Sequence, residues 1–512
     1  MKKTLLTITF FIFSTLILLG YQIFNFQTEK FLNSKSMKFI SEIHPKFNPK
    51  VENYYSNKCK NQELELKIDP NLEYDKVLNK PITTVIFKYN YIFKKKYYFT
   101  CIEGSIDPVN VTNAGGNRKE FNLSDSIVLA GQANSEFNGS ITLRDSLGTP
   151  IWWMSLDSKP IASEKYKYLR DPKLIGNGSK VMFVASKQQP GAYSSDGEYL
   201  VYDLKSNKVV KSYTGAKNLN SEGTLDFHDL EILPNGEAVG MRYTKRTDVD
   251  LSRIGIPKGI EVLDSEIVTL NADGTQKNKF SILDKINLEE ITLGQRTYFV
   301  PTVAPVDVIH TNSIEVVGDA AIISSRHLDA IHKISLKDGS IIWKLGGNSK
   351  TKYDLEVTNL YGAFNQFNKT VDLNHLFSGQ HDARIMTDGR LSVFDNGTTA
   401  NRNPRVLIFH IDERNKKATI EQVITGSSQS ISTCCGSARQ LKDGAWMINW
   451  GGKFDAISGG FANGVSSTVL ENGVATRILL RPANVFSYRV IPYYLTKEQI
   501  NLFRQDLINR NN

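Results

Sequence analysis

The sequence predicts an all-β protein built from six repeats of a four-stranded antiparallel sheet, and two periodic signals carry that expectation. The first is a strand, a polar turn and another strand, with turns at Asp145, Asp203, Asp273, Asp338, Asp412 and Asn472. These positions are separated by 58, 70, 65, 74 and 60 residues. The second is a tighter hairpin between them, at Asn177-Gly178, Asn235-Gly236, Gly318-Asp319, Asp388-Gly389 and Asp443-Gly444. Asn-Gly and Asp-Gly pairs between β-branched and aromatic runs are hairpin turns, because glycine takes positive φ without steric cost. Two hairpins per repeat make one blade, so the expected fold is a six-bladed β-propeller over residues 122–512. A β-sandwich is the rival, but it needs shorter and more even strand spacing. Helical periodicity is scarce, with one good segment from Thr496 to Leu507 and Thr496 as its cap.

The elements before the repeats differ in character. Lys2 and Lys3 precede an apolar run from Leu5 to Phe26, 22 residues and long enough to span a bilayer. Its end lacks a small-x-small cleavage site, which favours an uncleaved anchor over a signal peptide within residues 1–30. The bulk of the chain is therefore expected outside the cytoplasm, periplasmic and tethered to the inner membrane by one N-terminal helix. Residues 36–121 read as a small separate β domain, with strand-like runs at Pro81–Phe87 and Lys95–Cys101.

Composition narrows the class. The 512 residues carry 62 Lys and Arg against 53 Asp and Glu, a net charge of +9 spread without a basic block. With neither paired zinc ligands nor a recognition helix, nucleic-acid binding is not expected. Cys59 and Cys101 are disulfide candidates in an oxidising compartment, whereas the adjacent Cys434 and Cys435 leave free thiols or other pairings open. Six Asn-x-Ser/Thr sequons are present, Asn396 among them.

The chemistry gathers at one repeat position. His228, His310 and His381 each stand eight residues before a turn glycine, at 236, 318 and 389, in a chain with only eight histidines. Arg170 and Gly436 occupy the same place before Gly178 and Gly444. In a propeller this position starts the innermost strand and faces a shared centre. Three imidazoles suit zinc, but no carboxylate or cysteine completes the set in register, and Arg326 is poor company for a cation. His327, His332, His375 and His410 fall outside the register and read as structural or surface residues. Asp395-Asn396-Gly397 reads as a tight turn ending a strand, and Trp343, Trp446 and Trp450 as packing.

Several segments resemble the bacterial arylsulfotransferase family. They are Asp307–Ile314, Ile323–Arg326, Gly339–Gly347, Gly379–Ala383 and Val393–Gly397, within a stretch of similarity from about Asp226 to Gly452. The resemblance implies a six-bladed propeller that uses phenolic sulfate esters instead of a nucleotide sulfate donor, with no cofactor and no metal. It implies that His381 is the nucleophile, carrying the sulfuryl group as sulfohistidine. His310, Asn312 and Arg326 would hold the sulfuryl oxygens, and His228 would exchange a proton with the phenol oxygen. The implied partners are an aryl sulfate donor and a phenolic acceptor, and a homo-oligomer is compatible with the sequence. The alternative is a non-catalytic propeller that binds a sulfated or anionic ligand.

Overall fold

The computed structural model describes residues 87–89, 95–97, 100–102, 105–107, 110–112, 127–132, 140–144, 150–156, 160–161, 166, 168–186, 198–213, 225–291, 305–358, 376–398, 400, 402–425, 432–455, 460–461, 464–471, 474–481 and 487–511. The apolar N-terminal run and Cys59 lie outside the described residues. No helix among the described residues is long and apolar enough to cross a membrane.

The described chain is mostly β and forms several antiparallel sheets. One sheet takes Tyr168–Ile175, Lys180–Ser186, Glu198–Asp203 and Lys208–Tyr213 in sequence order. The next takes Leu230–Ile232, Ala238–Arg246, Val262–Leu270 and Gln276–Ser281. Thr311–Val317, Ala320–Ser325, Ala330–Ser335 and Ile341–Gly346 repeat the pattern. So do His381–Ile385, Leu391–Asp395, Arg405–Asp412 and Lys417–Thr425. A further sheet uses Ser437–Gln440, Trp446–Asn449, Gly464–Glu471 and Val474–Arg481, and Asn110–Thr112 pairs with its outer edge. The turns read from sequence all join paired strands.

Another four-stranded sheet departs from sequence order. Its first strand is Ser487–Tyr493, from near the C-terminus, paired with Ile127–Gln132 and followed by Ser140–Arg144 and Pro150–Ser155. The two ends of the repeat region are thus joined by backbone hydrogen bonds.

The core lies between consecutive sheets. Val239, Met241 and Ile267 pack against Ile314, Ile323 and Ile334 of the next sheet. Trp343 and Leu345 meet Phe377, Val393 and Phe409 in the same way, and Phe394 meets Trp446 and Trp450. Each such fully buried side chain contributes roughly 1.5–3 kcal/mol. The helix Lys497–Asn511 starts with a reciprocal cap, Gln499 N–H on Thr496 Oγ1 and Thr496 N–H on Gln499 Oε1. Its Asp506 accepts from Trp152 Nε1 at 2.6 Å and from the Tyr202 hydroxyl at 2.5 Å, tying two sheets together.

Candidate active site

The first strands of the sheets converge. Thr311–Val317 touches both Leu230–Ile232 and His381–Ile385, while Ser487–Tyr493 touches both Ser437–Gln440 and Tyr168–Ile175. Register breaks sit at their beginnings, between Thr311 and Ser313 and between His381 and Arg384. A bulge of this kind turns the side chains at a strand start. Asp171, His310, Asp382 and Cys435 accordingly hold positive φ, from 43° to 64°, a conformation that costs free energy in residues with a Cβ. Gly436 breaks the histidine register for a steric reason: a Cβ there would lie 2.3 Å from the Phe394 ring.

His228, His310 and His381 come together, all buried. The His228 and His310 rings are 4.8 Å apart, and Tyr488 bridges, 5.8 Å from His228 and 6.3 Å from His381. Each Nδ1 is held by a nearby acceptor. Asp226 Oδ1 lies 2.5 Å from His228 Nδ1, and Asp307 Oδ2 lies 2.5 Å from His310 Nδ1. The parallel pairing of Val306–Asp307 with Val262–Leu263 positions that second carboxylate.

His381 Nδ1 faces Gly379 O at 3.0 Å and Asn396 Oδ1 at 2.8 Å. The Asn396 amide donates to Ser432 Oγ and to Cys435 O. A backbone carbonyl only accepts, so the Asn396 oxygen must face His381. Both partners of Nδ1 are then acceptors, which puts the proton on Nδ1 and leaves the Nε2 lone pair bare. Burial, with the Arg326 guanidinium and then His310 and His228 nearby, holds His381 well below the usual imidazole range. An activity that needs neutral His381 therefore keeps its acid limb below the ordinary pH of about 6.5. The pH profile of kcat/KM measures this, and a limb for His381 at or above that pH would contradict the assignment.

Arg326 begins a short turn, Arg326–Leu328, docked on this strand start: its N–H donates to His310 O, and that of His327 to Ile309 O. Arg326 Nη2 donates to Thr433 O at 2.6 Å, and Nη1 to His327 Nε2 at 2.8 Å. Asn312 is fully buried and donates to Gln380 O at 2.8 Å, so it fixes the residue before His381.

The structure sharpens three readings from the sequence. His327, structural or surface by its sequence position, is buried and stacks on His310 at 4.6 Å between ring centres. Asn396 is no mere turn residue, since it orients His381; being fully buried, it is also closed to glycosylation in the folded chain. Outside the register a carboxylate does meet two histidines, since atoms of Asp307, His310 and His327 lie within 4.8 Å of one another. Hydrogen bonds account for that set: His310 Nδ1 meets the carboxylate, His327 Nδ1 meets Asp307 O, and the adjacent Arg326 opposes a cation. Cys434 and Cys435 are free thiols with their sulfurs 2.8 Å apart, beside Arg326.

Beneath the histidines lies a layer of charge. Arg489 is buried, and all five of its N–H groups are used. Nε bonds Asp382 at 3.0 Å, Nη1 bonds Asp171 and His228 O, and Nη2 bonds Asp229 and Asn312 O. Arg384 and Arg439 also pair with Asp382, and Arg384 and Lys173 with Asp229. Beyond this layer is a cavity of about 410 Å³, lined by Lys173, Glu231, Arg384, Trp446 and Tyr493 among others.

This arrangement, a cluster of inward histidines on converging strands of repeated antiparallel sheets, defines a β-sheet protein with a buried polar site. Among solved structures the chain is similar to a protein of unknown function from Bacteroides caccae, at 10% identity over 73% of this chain and 100% of that one, TM-score 0.40. It is similar to a functionally unknown protein from Desulfotomaculum acetoxidans, at 9% over 80% and 98%, TM-score 0.36. It is also similar to the β-propeller domain of Cps50 (Swd1) from Myceliophteria thermophila, at 10% over 71% and 98%, TM-score 0.32. No curated protein matches the chain. The arylsulfotransferase (ASST) family model matches residues 194–459, and the chain belongs to that family.

Proposed function

We propose that the chain is an aryl-sulfate sulfotransferase, built as a six-bladed propeller, that moves a sulfuryl group between phenols through sulfohistidine at His381. The observation that carries this is the fixed tautomer of His381: a neutral ring whose Nε2 makes no hydrogen bond to a described residue. In the first step the Nε2 lone pair forms an N–S bond as the S–O bond to the aryl group breaks. The departing phenolate takes a proton from Nε2 of His228, the ring nitrogen opposite the Nδ1 that meets Asp226. In the second step a phenol gives its proton back to His228 and its oxygen attacks sulfur, and the N–S bond returns its electrons to Nε2. The proton on Nδ1 stays with Gly379 O and Asn396 throughout, so the sulfurylated ring is positively charged and departs readily.

Arg326 faces the oxygens of the transferring group with fixed positive charge. His310, in the neutral form of its pair with Asp307, carries a proton on Nε2 for the same purpose. Purified soluble protein given a chromogenic aryl sulfate and phenol should release the chromophore and form phenyl sulfate. Tight binding of sulfate esters with no release would favour the non-catalytic reading instead.

Membrane tethering belongs to the same proposal and rests on the apolar run Leu5–Phe26. A C-terminal reporter that works only outside the cytoplasm should be active; activity from a cytoplasm-specific reporter alone would overturn the location.

A further inference from the structure

Arg170 stands at the repeat position that His228, His310 and His381 occupy in other sheets, eight residues before Gly178. Its local frame matches theirs. The aspartate that follows it, Asp171, turns to Arg489, as do the aspartates after His228 and His381. The guanidinium lies 5.1 Å from the centre of the Phe227 ring, and that ring stacks on His228 at 4.2 Å. Cys435, Asp171, Tyr488 and Tyr168 are its neighbours in charge, none of them hydrogen-bonded to it, and Tyr488 touches both His228 and His381. Arg170 therefore borders the histidine pocket.

Its bonding is unlike that of the other buried cations. Arg489, Arg384 and Arg405 are paired with carboxylates. Arg170 is 4% exposed, yet it makes no hydrogen bond to a described residue, and its Nε is buried without a partner. Burial pulls the group down to about 10. A desolvated guanidinium over an aromatic face has some compensation, but its five donors call for an anion.

We propose that Arg170 holds a second anionic group on the substrate, so that the donor or acceptor phenol carries a carboxylate or comparable anion besides the sulfuryl group that moves. This rests on the transferase reading given above. The guanidinium fork suits a planar carboxylate in two-point contact.

The test compares 3- and 4-carboxyphenyl sulfate with the matching carbamoylphenyl sulfates, which have the same shape and no charge. Wild type should prefer one carboxylate isomer, and Arg170→Met should lower the ratio of kcat/KM between acid and amide by at least about tenfold. The loss should fall mainly on KM, and Arg170→Lys should restore part of it. Taking the ratio cancels leaving-group reactivity and any general damage to the site. Calorimetric titration of the same esters reports the preference without turnover. If wild type binds the acids preferentially but transfers nothing, the transferase reading fails and the anion site stands. An unchanged ratio, in rate and in binding, would overturn the proposal. That result combined with a raised Cys434 pKa by alkylation would make Arg170 a partner of the thiol instead.

Discussion

Replacing His381 with alanine should remove the burst of phenol released from an aryl sulfate, and with it the added sulfuryl mass on the quenched protein. Turnover should fall by at least about 10⁴-fold, because the covalent route itself is gone and not merely weakened. Arg326→Ala should behave differently. The adduct should still form on His381, but more slowly, with a loss on the order of 2–4 kcal/mol of transition-state stabilisation, by analogy with the removal of one oxyanion donor. Mass spectrometry of both variants after brief mixing with donor separates the two cases. Near wild-type turnover by His381→Ala would refute the nucleophile.

The second large effect is on stability. Arg489→Met should destabilise the fold by about 3–5 kcal/mol or more, since it strips a buried cation from three buried carboxylates. Asp382 and Asp229 keep other cations, whereas Asp171 keeps none at salt-bridge distance and already has one oxygen without a partner. Adding Asp171→Asn to Arg489→Met should therefore recover part of the loss. Urea unfolding measures both, and a single variant as stable as wild type would show that the layer is not a structural hub.

The same layer sets the response to acid. Despite burial, Arg384, Arg489 and Lys173 hold Asp229 far below the usual carboxylate range, and Arg439, Arg384 and Arg489 do so for Asp382. A depressed folded pKa means stability that is present above the unfolded value of about 4 and is lost as pH falls below it. Burial lowers His310, His327 and His381 as well. Their unfolded forms take up protons first, so stability begins to decline below about pH 6.5. Asp171 opposes this trend, because burial outweighs its cations and raises it. Burial likewise raises Asp307 and Asp329, so the loss expected on acidification is the share that belongs to Asp229, Asp382 and the three imidazoles.

Much of this architecture is legible in the chain because hairpin turns are local. Asn235-Gly236 or Asp388-Gly389 needs only its own flanking runs to declare itself, and the histidine register follows by counting back. Asp226 and Asp307 could also have been found, since they precede their histidines by two and three residues. What eludes counting is whatever the fold supplies from a distance. Tyr488 and Arg489 sit on a strand whose hairpin partner, Ile127–Gln132, lies at the other end of the repeats, so no turn glycine follows them at the repeat spacing. Asn396 reaches His381 only because the strands align His381 with Phe394. His327 enters through a single tight turn, which leaves no periodic trace. Arg170 is in register, but its lack of a partner is visible only in three dimensions.

The strand Ser487–Tyr493 also has a consequence for biosynthesis. A ribosome makes it after the strands of the other sheets described above, when Asp171, Asp229 and Asp382 have long since been synthesised. Until it arrives, those carboxylates lack their shared arginine and the edge of Ile127–Gln132 lacks its partner. A nascent chain therefore cannot finish its centre early, and one broken off before Tyr488 carries neither the hub nor a complete pocket. Assembly of the site waits on a strand made after the others that form the layer, and a chain stopped before it leaves Asp171, Asp229 and Asp382 without Arg489.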